Sequence, residues 1–401
     1  MIVPKSNFRP NPARAIHVQG FIDQDLFQRL APEILLLQNQ SRDPITIYID
    51  SPGGSAYFML SLLKLLKAKG QDYEEPCDLI TVVTRQAASA AADLLSAGNY
   101  ALAFPDSRVL YHGGRLAEDR PITAERSSFL AQMLRLTNES HAMDLARAIE
   151  FRFIFRFIPS RHSFNDIRQK AQNQDMTDLD CFLVLISENL SEIAKEIIQT
   201  AGARYAKYGT LVESVLKKTK NLPPNKTPLE VEAAQIKAII DFEVRSNKHN
   251  QGWSFQFGGM HRLTDDFLLF QEYQSIASSD RFKRWCSQYG KFLISENELN
   301  EISQSGNDEE KTQKLIEKAS PVLLPIWSFF VALCHTLQQG ENDFLTASDA
   351  YWMGLIDEVI GDEDLPPVRL LYEEQPDPSA KSRSKKRKIL VKKGSSKKAK
   401  A

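Results

Sequence analysis

ITIYIDSPGGSAYFMLSLLKLL, residues 45–66, is the stretch that sets the architecture. Ile45 to Ile49 are all β-branched or aromatic, which predicts a short buried strand. Ser51-Pro52-Gly53-Gly54 then punctuates the chain. Beyond it Ala56, Met59, Leu60, Leu63 and Leu66 fall on one face of a helix. A strand, a glycine corner and a helix in this order form an α/β unit. Backbone N–H groups left unpaired at such a helix start, with no side chains in front of them, can bind a developing anion. The same residues also make a simple tight turn.

The pattern repeats on either side. Upstream, AIHVQGFI at 15–22 reads as a strand and residues 26–37 as a helix. Downstream come a strand over 78–84, a small-residue helix over 89–97 closed by Gly98, and a strand over 108–111. One long helix is expected over 122–157, stopped by Pro159, although Phe151, Phe153, Phe155 and Phe157 alternating with Arg152 and Arg156 also fit a strand. Residues 160–320 read as helices, such as 182–200 and 229–244, joined by polar loops, with a loop or hairpin around Trp253. Near the end, Thr346 and Asp349 predict a helix start, Gly354 its stop, and 355–359 a last strand.

Three constellations carry chemistry. The glycine corner at Gly53 is the first. In RQAASAAA, residues 85–92, a lone hydroxyl, Ser89, sits among alanines just after an apolar strand and at a helix start. There the helix dipole lowers the cost of an alkoxide or a tetrahedral intermediate. Read alone, a serine at this place is more commonly a helix N-cap. His112 ends the 108–111 strand before Gly113-Gly114, placed to act as a base for Ser89.

Four stretches resemble, in order and near-spacing, the proteolytic subunits of Clp proteases: ITIYIDSPGGSAYFMLSLLKLL, QAASAAADLLSAGN, SRVLYH and DFLTASDAYWMGLIDEVI. The upstream AIHVQGFIDQDLFQRLAPEILLLQ is similar to that family's opening. The resemblance covers residues 15–150 and 325–362. It implies an α/β fold, a Clp/crotonase-like spiral of ββα units, here carrying a mainly helical insertion. It also implies a serine-type endopeptidase that hydrolyses peptide bonds through an acyl-enzyme, with Ser89 as nucleophile, His112 as general base, and Gly53 and Ala90 as oxyanion-hole donors. The third triad member falls on Asn342 by direct alignment or on Asp343 after a one-residue shift. Only a carboxylate there stabilises the imidazolium that forms.

In total, 229 residues separate His112 from Asn342, several-fold more than the corresponding connection in the family. The expected division is an α/β part over 1–159 including a handle-like helix, an insertion over 160–322, the closing α/β part over 323–362 and a disordered basic tail over 363–401. The resemblance implies peptide or unfolded-protein substrates, a homo-oligomer and an ATP-dependent unfoldase ring as partner, with no metal and no cofactor. The enlarged connection also admits a catalytically inactive scaffold or regulatory subunit. Acyl-CoA chemistry on the related crotonase fold would leave Ser89 and His112 without a required role.

Composition agrees with a globular enzyme of more than one unit, with 42% apolar residues in 401. The formal charge of -1 conceals a split: residues 381–401 hold eleven Lys and Arg and no acid, leaving 39 basic against 51 acidic residues elsewhere. That tail is expected to be solvated, with weak nucleic-acid contact as its rival role. Cys77, Cys181, Cys286 and Cys334 are far apart without metal spacing and are expected as buried thiols in a reducing, cytoplasmic setting. No signal-peptide core and no run of about 18 apolar residues is seen, so no membrane partner is expected.

Overall fold

The computed structural model describes residues 9–69, 75–115, 123–160, 164–170, 176–220, 227–246, 280–304, 306–339 and 344–365. A seven-stranded sheet organises the first half, built from β1 (Ala15–Gln19), β2 (Ile45–Ser51), β3 (Leu79–Ala88), β4 (Tyr100–Ala103), β5 (Arg108–Leu110), β6 (Leu345–Thr346) and β7 (Glu358–Val359). The path runs β1-β2-β3-β4-β7, and every pair along it is parallel. β3 is shared: Ile80–Val83 pair with β4, and Gln86–Ala88 with β5. β6 then adds antiparallel to β5, placing Leu345 opposite Val109. This is the expected α/β architecture, with the closing segment returning to the same sheet.

β2 and the first half of β3 are buried on both faces, which is why they read as nearly unbroken apolar runs rather than alternating ones. One face carries α1 (Gln24–Gln40), α2 (Ala56–Leu66) and α3 (Ala90–Ser96). Asp23 caps α1 by accepting from Leu26 N at 2.9 Å, and Leu26, Leu30, Ile34 and Leu37 form its buried stripe. Arg14 closes the other end, its guanidinium donating to Leu37 O and Ser41 O at 3.0 and 3.1 Å. On the opposite face a small cluster of Ile80, Val82, Tyr100 and Leu102 packs with Tyr48 and Ile360.

The long helix α4 (Ala124–Ser160) continues through Pro159, where the sequence rule had placed its end. It settles the ambiguous Phe/Arg run as helix. Phe153 and Phe157, one turn apart, face the helical segment, while Arg152 and Arg156 turn toward the sheet. Arg152 pairs with Asp357 at 2.7 Å and donates to Gly98 O at 2.6 Å. Arg156 donates to Ile356 O and stacks 4.2 Å above the Tyr351 ring. Burial lowers the Arg156 pKa to about 10, so it stays charged at neutral pH.

The remaining helices are α5 (Phe164–Lys170), α6 (Asp178–Ser187), α7 (Glu192–Lys220), α8 (Pro228–Ser246), α9 (Asp280–Tyr289), α10 (Glu296–Ser303), α11 (Asp308–Gln339) and α12 (Ala347–Trp352). The expected helix over 182–200 is two elements, because α6 ends at Ser187 and α7 begins at Glu192. The last strand is shorter than 355–359: Leu355 N and Ile356 N donate to Ala350 O, closing the turn after α12, and only Glu358 and Val359 join the sheet. Thr346 and Asp349 form the capping box read from sequence, and Gly354 takes the left-handed φ of 77° that stops the helix.

α11 runs straight through the expected 322/323 boundary, so the insertion's last helix and the closing part are one continuous element. It also corrects the hydropathy reading. Residues 319–339 carry no Asp, Glu, Lys or Arg, and α11 is long and apolar enough to cross a membrane; its Ser, Pro and Thr residues hide this from a strict run count. Here most of that stretch is buried within the fold, including every residue from Ile326 to Gln338, and the helix packs against α4, α7 and α9. All four cysteines are free and buried, and burial raises the Cys334 thiol well above its ordinary range. The segment around Trp253, Gly70 and residues 366–401 of the tail lie outside the described residues.

Candidate active site

Ser89 stands where β3 ends and α3 begins. Its φ of 57° and ψ of −129° make it the one non-glycine residue with positive φ among the described residues. Such a conformation costs about 1–3 kcal/mol and persists only where surrounding contacts impose it. Those contacts are visible. Ser89 N donates to Leu110 O at 2.8 Å, and Ser89 O accepts from Ala92 N at 2.8 Å as the first carbonyl of α3. The hydroxyl makes no capping bond to the helix. The ordinary use of a serine at this position is therefore absent, and a strained strand-to-helix turn presents the side chain instead.

The glycine corner lies directly against this turn. Gly53 has φ 94°, and a Cβ built on it would stand 2.7 Å from Ser89 Cβ, 2.5 Å from Ala88 O and 3.2 Å from Ala90 N. Gly53 N donates to Ser51 Oγ at 3.0 Å, so in this state that N–H is engaged, and Gly53 O accepts from Ile22 N at 2.9 Å. Ala90 is the first residue of α3, and its N–H belongs to the helix-start donors that lack an intrahelical acceptor. Buried Ala87, Ala88, Ala91 and Ala92 surround the turn with small side chains.

His112 follows β5, whose Leu110 both pairs with Ala88 and accepts from Ser89 N. The imidazole is partly buried, with Nδ1 2.6 Å from Gly113 O. With the proton on Nδ1, that contact is a hydrogen bond and Nε2 keeps the lone pair a base requires. Asn342 and Asp343 lie outside the described residues, immediately before β6.

Sequence reasoning missed a set of polar side chains beside this loop. Asn138 Oδ1 on α4 accepts from Gly114 N at 2.7 Å. Gln338 on α11 donates to Asp93 Oδ1 at 3.1 Å. A Cβ on Gly113 would meet both, 2.5 Å from Asn138 Nδ2 and 2.8 Å from Gln338 O. Burial pushes the Asp93 carboxyl above the ordinary carboxylate range; His141, the Gln338 hydrogen bond and His112 oppose this, and Asp144 adds to it. The one signal in the sequence was a lone acid four residues after Ser89 in an otherwise apolar helix. Among the described residues no cluster of His, Cys, Asp and Glu could hold a metal ion.

The Clp protease family model matches residues 9–143. Proteolytic subunit 2 of the ATP-dependent Clp protease of Nocardia farcinica is 33% identical over 148 residues, 34% of this chain and 67% of that protein. Subunit 1 from Mycobacterium bovis is 33% identical over 146 residues, 33% of this chain and 68% of that protein. The chain belongs to the Clp protease family. The proteolytic subunit of Carsonella ruddii is 32% identical over 104 residues, 25% of this chain and 49% of that protein. The chain thus spans between about half and about two thirds of these relatives' lengths. The family match contains Gly53, Ser89, Ala90, His112, Asp93 and Asn138; it ends inside α4, before every helix from α5 to α11. Gln338 therefore comes to the Clp fold from outside the matched segment.

Proposed function

We propose that this Clp family member is a serine endopeptidase in which Ser89 is the nucleophile and His112 the general base. The observation that carries the reading is the strained Ser89, uncapped and packed on Gly53, at a helix start. His112 Nε2 takes the hydroxyl proton as Oγ bonds to the peptide carbonyl carbon, and the carbonyl oxygen becomes the oxyanion. Ala90 N–H receives it, joined by Gly53 N–H once that donor leaves Ser51 Oγ. The intermediate expels the amine, which takes the proton from His112, and water then releases the acyl group by the same route.

Asp343 or Asn342 would orient the imidazole, the carboxylate being the stronger partner. The relatives are named as subunits of ATP-dependent proteases, which supports unfolded protein as substrate, delivered to a homo-oligomer by an ATP-driven unfoldase ring in the cytoplasm. Short peptides would reach the site unaided.

Labelling with a fluorophosphonate tests the assignment. Mass spectrometry should find the adduct on Ser89, none in Ser89→Ala, and labelling about 10²–10⁴-fold slower in His112→Gln. Equal labelling of wild type and Ser89→Ala would remove Ser89 from the chemistry. A wild type that neither labels nor cleaves peptides would leave the inactive scaffold as the reading.

A further inference from the structure

His112 Nδ1 lies 2.6 Å from Gly113 O, and Gly114 N donates to Asn138 Oδ1 at 2.7 Å. The two contacts belong to one peptide unit, because the carbonyl of Gly113 and the N–H of Gly114 share an amide plane. A carbonyl oxygen has no proton to give, so the proton of the first contact sits on Nδ1. A backbone N–H can only donate, so the Asn138 atom that faces it is the oxygen. Imidazole, peptide and side-chain amide therefore form a chain of one polarity. An acceptor on the peptide N–H makes the carbonyl at its other end a stronger acceptor.

Glycine lets this peptide sit where it does. A Cβ on Gly113 would stand 2.5 Å from Asn138 Nδ2 and 2.8 Å from Gln338 O, the first on α4 and the second on α11. The Asn138 amide can turn aside, but Gln338 O is helix backbone and cannot. Gly114 also packs near α4, where a Cβ would meet Asn138 Oδ1 at 3.4 Å and Leu134 Cδ2 at 3.5 Å. The peptide thus lies between two helices, and the Asn138 side chain fixes its rotation.

We propose that Asn138 is a positioning residue for His112: it holds the 113–114 peptide so that Gly113 O keeps the proton on Nδ1 and leaves the Nε2 lone pair for the Ser89 proton. The inference rests on the reading of Ser89 and His112 as nucleophile and base. It gives a backbone carbonyl the orienting place at Nδ1, and an acceptor from position 342 or 343 would have to displace Gly113 O to take it. The competing role for Asn138 is plain packing of α4 against the loop, so the test has to separate an acceptor from a space-filler.

Heteronuclear NMR of the ring nitrogens in the histidine-labelled full chain reports which nitrogen of a neutral imidazole holds the proton, and His112→Gln identifies the signals. This readout needs no activity. The wild type should carry the His112 proton on Nδ1. Asn138→Leu keeps the bulk and removes the acceptor; it should move the proton toward Nε2 and slow fluorophosphonate labelling of Ser89 about tenfold or more. Asn138→Asp restores an acceptor oxygen and should return the wild-type tautomer, with labelling within about threefold of wild type. If Asn138→Leu does not fold, Asn138→Ser, whose hydroxyl is too short to reach Gly114 N, carries the same test.

An Nδ1 proton and a labelling rate unmoved by loss of the acceptor would overturn the proposal. So would an Asn138→Asp variant as slow as Asn138→Leu, or a tautomer lost in Asp343→Ala or Asn342→Ala but kept in Asn138→Leu. If the wild type does not label at Ser89, the peptidase reading falls by itself, while the tautomer still decides whether Asn138 acts on His112.

Discussion

At the scale of single residues, the site depends on how closely backbone can approach backbone at Gly53. A methyl group there would stand 2.5 Å from Ala88 O and 2.7 Å from Ser89 Cβ, at a φ of 94° that L side chains avoid. Gly53→Ala should cost about 1–3 kcal/mol of stability and, by displacing the oxyanion corner, slow Ser89 labelling about 10²-fold or more. Gly20→Ala is the control: φ is 76°, but nothing lies within 4 Å, so it should cost about 1 kcal/mol and leave labelling unchanged. Urea titration and labelling rates measure both effects. Gly53 and Ser89 could be read from sequence because a strand, a turn and a helix start are local features. That the Ser89 hydroxyl makes no cap could not be read, because it follows from a backbone angle fixed by Leu110, on another strand.

At the scale of elements, the end of α4 shows why periodicity alone was undecided. Phe and Arg alternate with period two, yet the helix uses them in pairs four apart, Phe153 with Phe157 and Arg152 with Arg156. Buried arginines were invisible to the sequence because their partners are mostly remote backbone oxygens, such as Gly98 O and Ile356 O, that no side-chain pattern reports. Arg152 joins α4, the turn after α3 and the segment leading to β7 in one contact set, with side chains of Arg152 and Asp357 only 5% and 3% exposed. Removing one member of a buried pair strands the other, which costs about 3–5 kcal/mol. Arg152→Met should therefore lower unfolding stability by that amount, measured from urea midpoints at constant m. A loss below about 1 kcal/mol would mean that water reaches Asp357 and the clamp carries little.

At the scale of the whole molecule, the question is whether the helical segment is a separate body or part of the Clp core. A single cluster of buried side chains extends from Ile16 and Ile47 in the sheet through Phe153 on α4 to Phe182, Phe329 and Phe330. Phe153 is the junction: its ring stacks on Phe330 at 4.6 Å and meets Phe182 edge-on at 5.3 Å. Aromatic contacts of this kind add about 0.5–1.5 kcal/mol each beyond the apolar area they bury. A helix that presents one face to the sheet and another to α6 and α11 couples the two sides, so neither loses its packing alone. Phe330→Ala, made in α11 and far from β2 in sequence, should cost about 3–5 kcal/mol. Amide exchange read by mass spectrometry on peptides from β2 and α11 should then accelerate in both, with urea midpoints that move together. Acceleration in α11 with β2 unchanged would show that the insertion opens as its own unit and that the shared cluster is not cooperative.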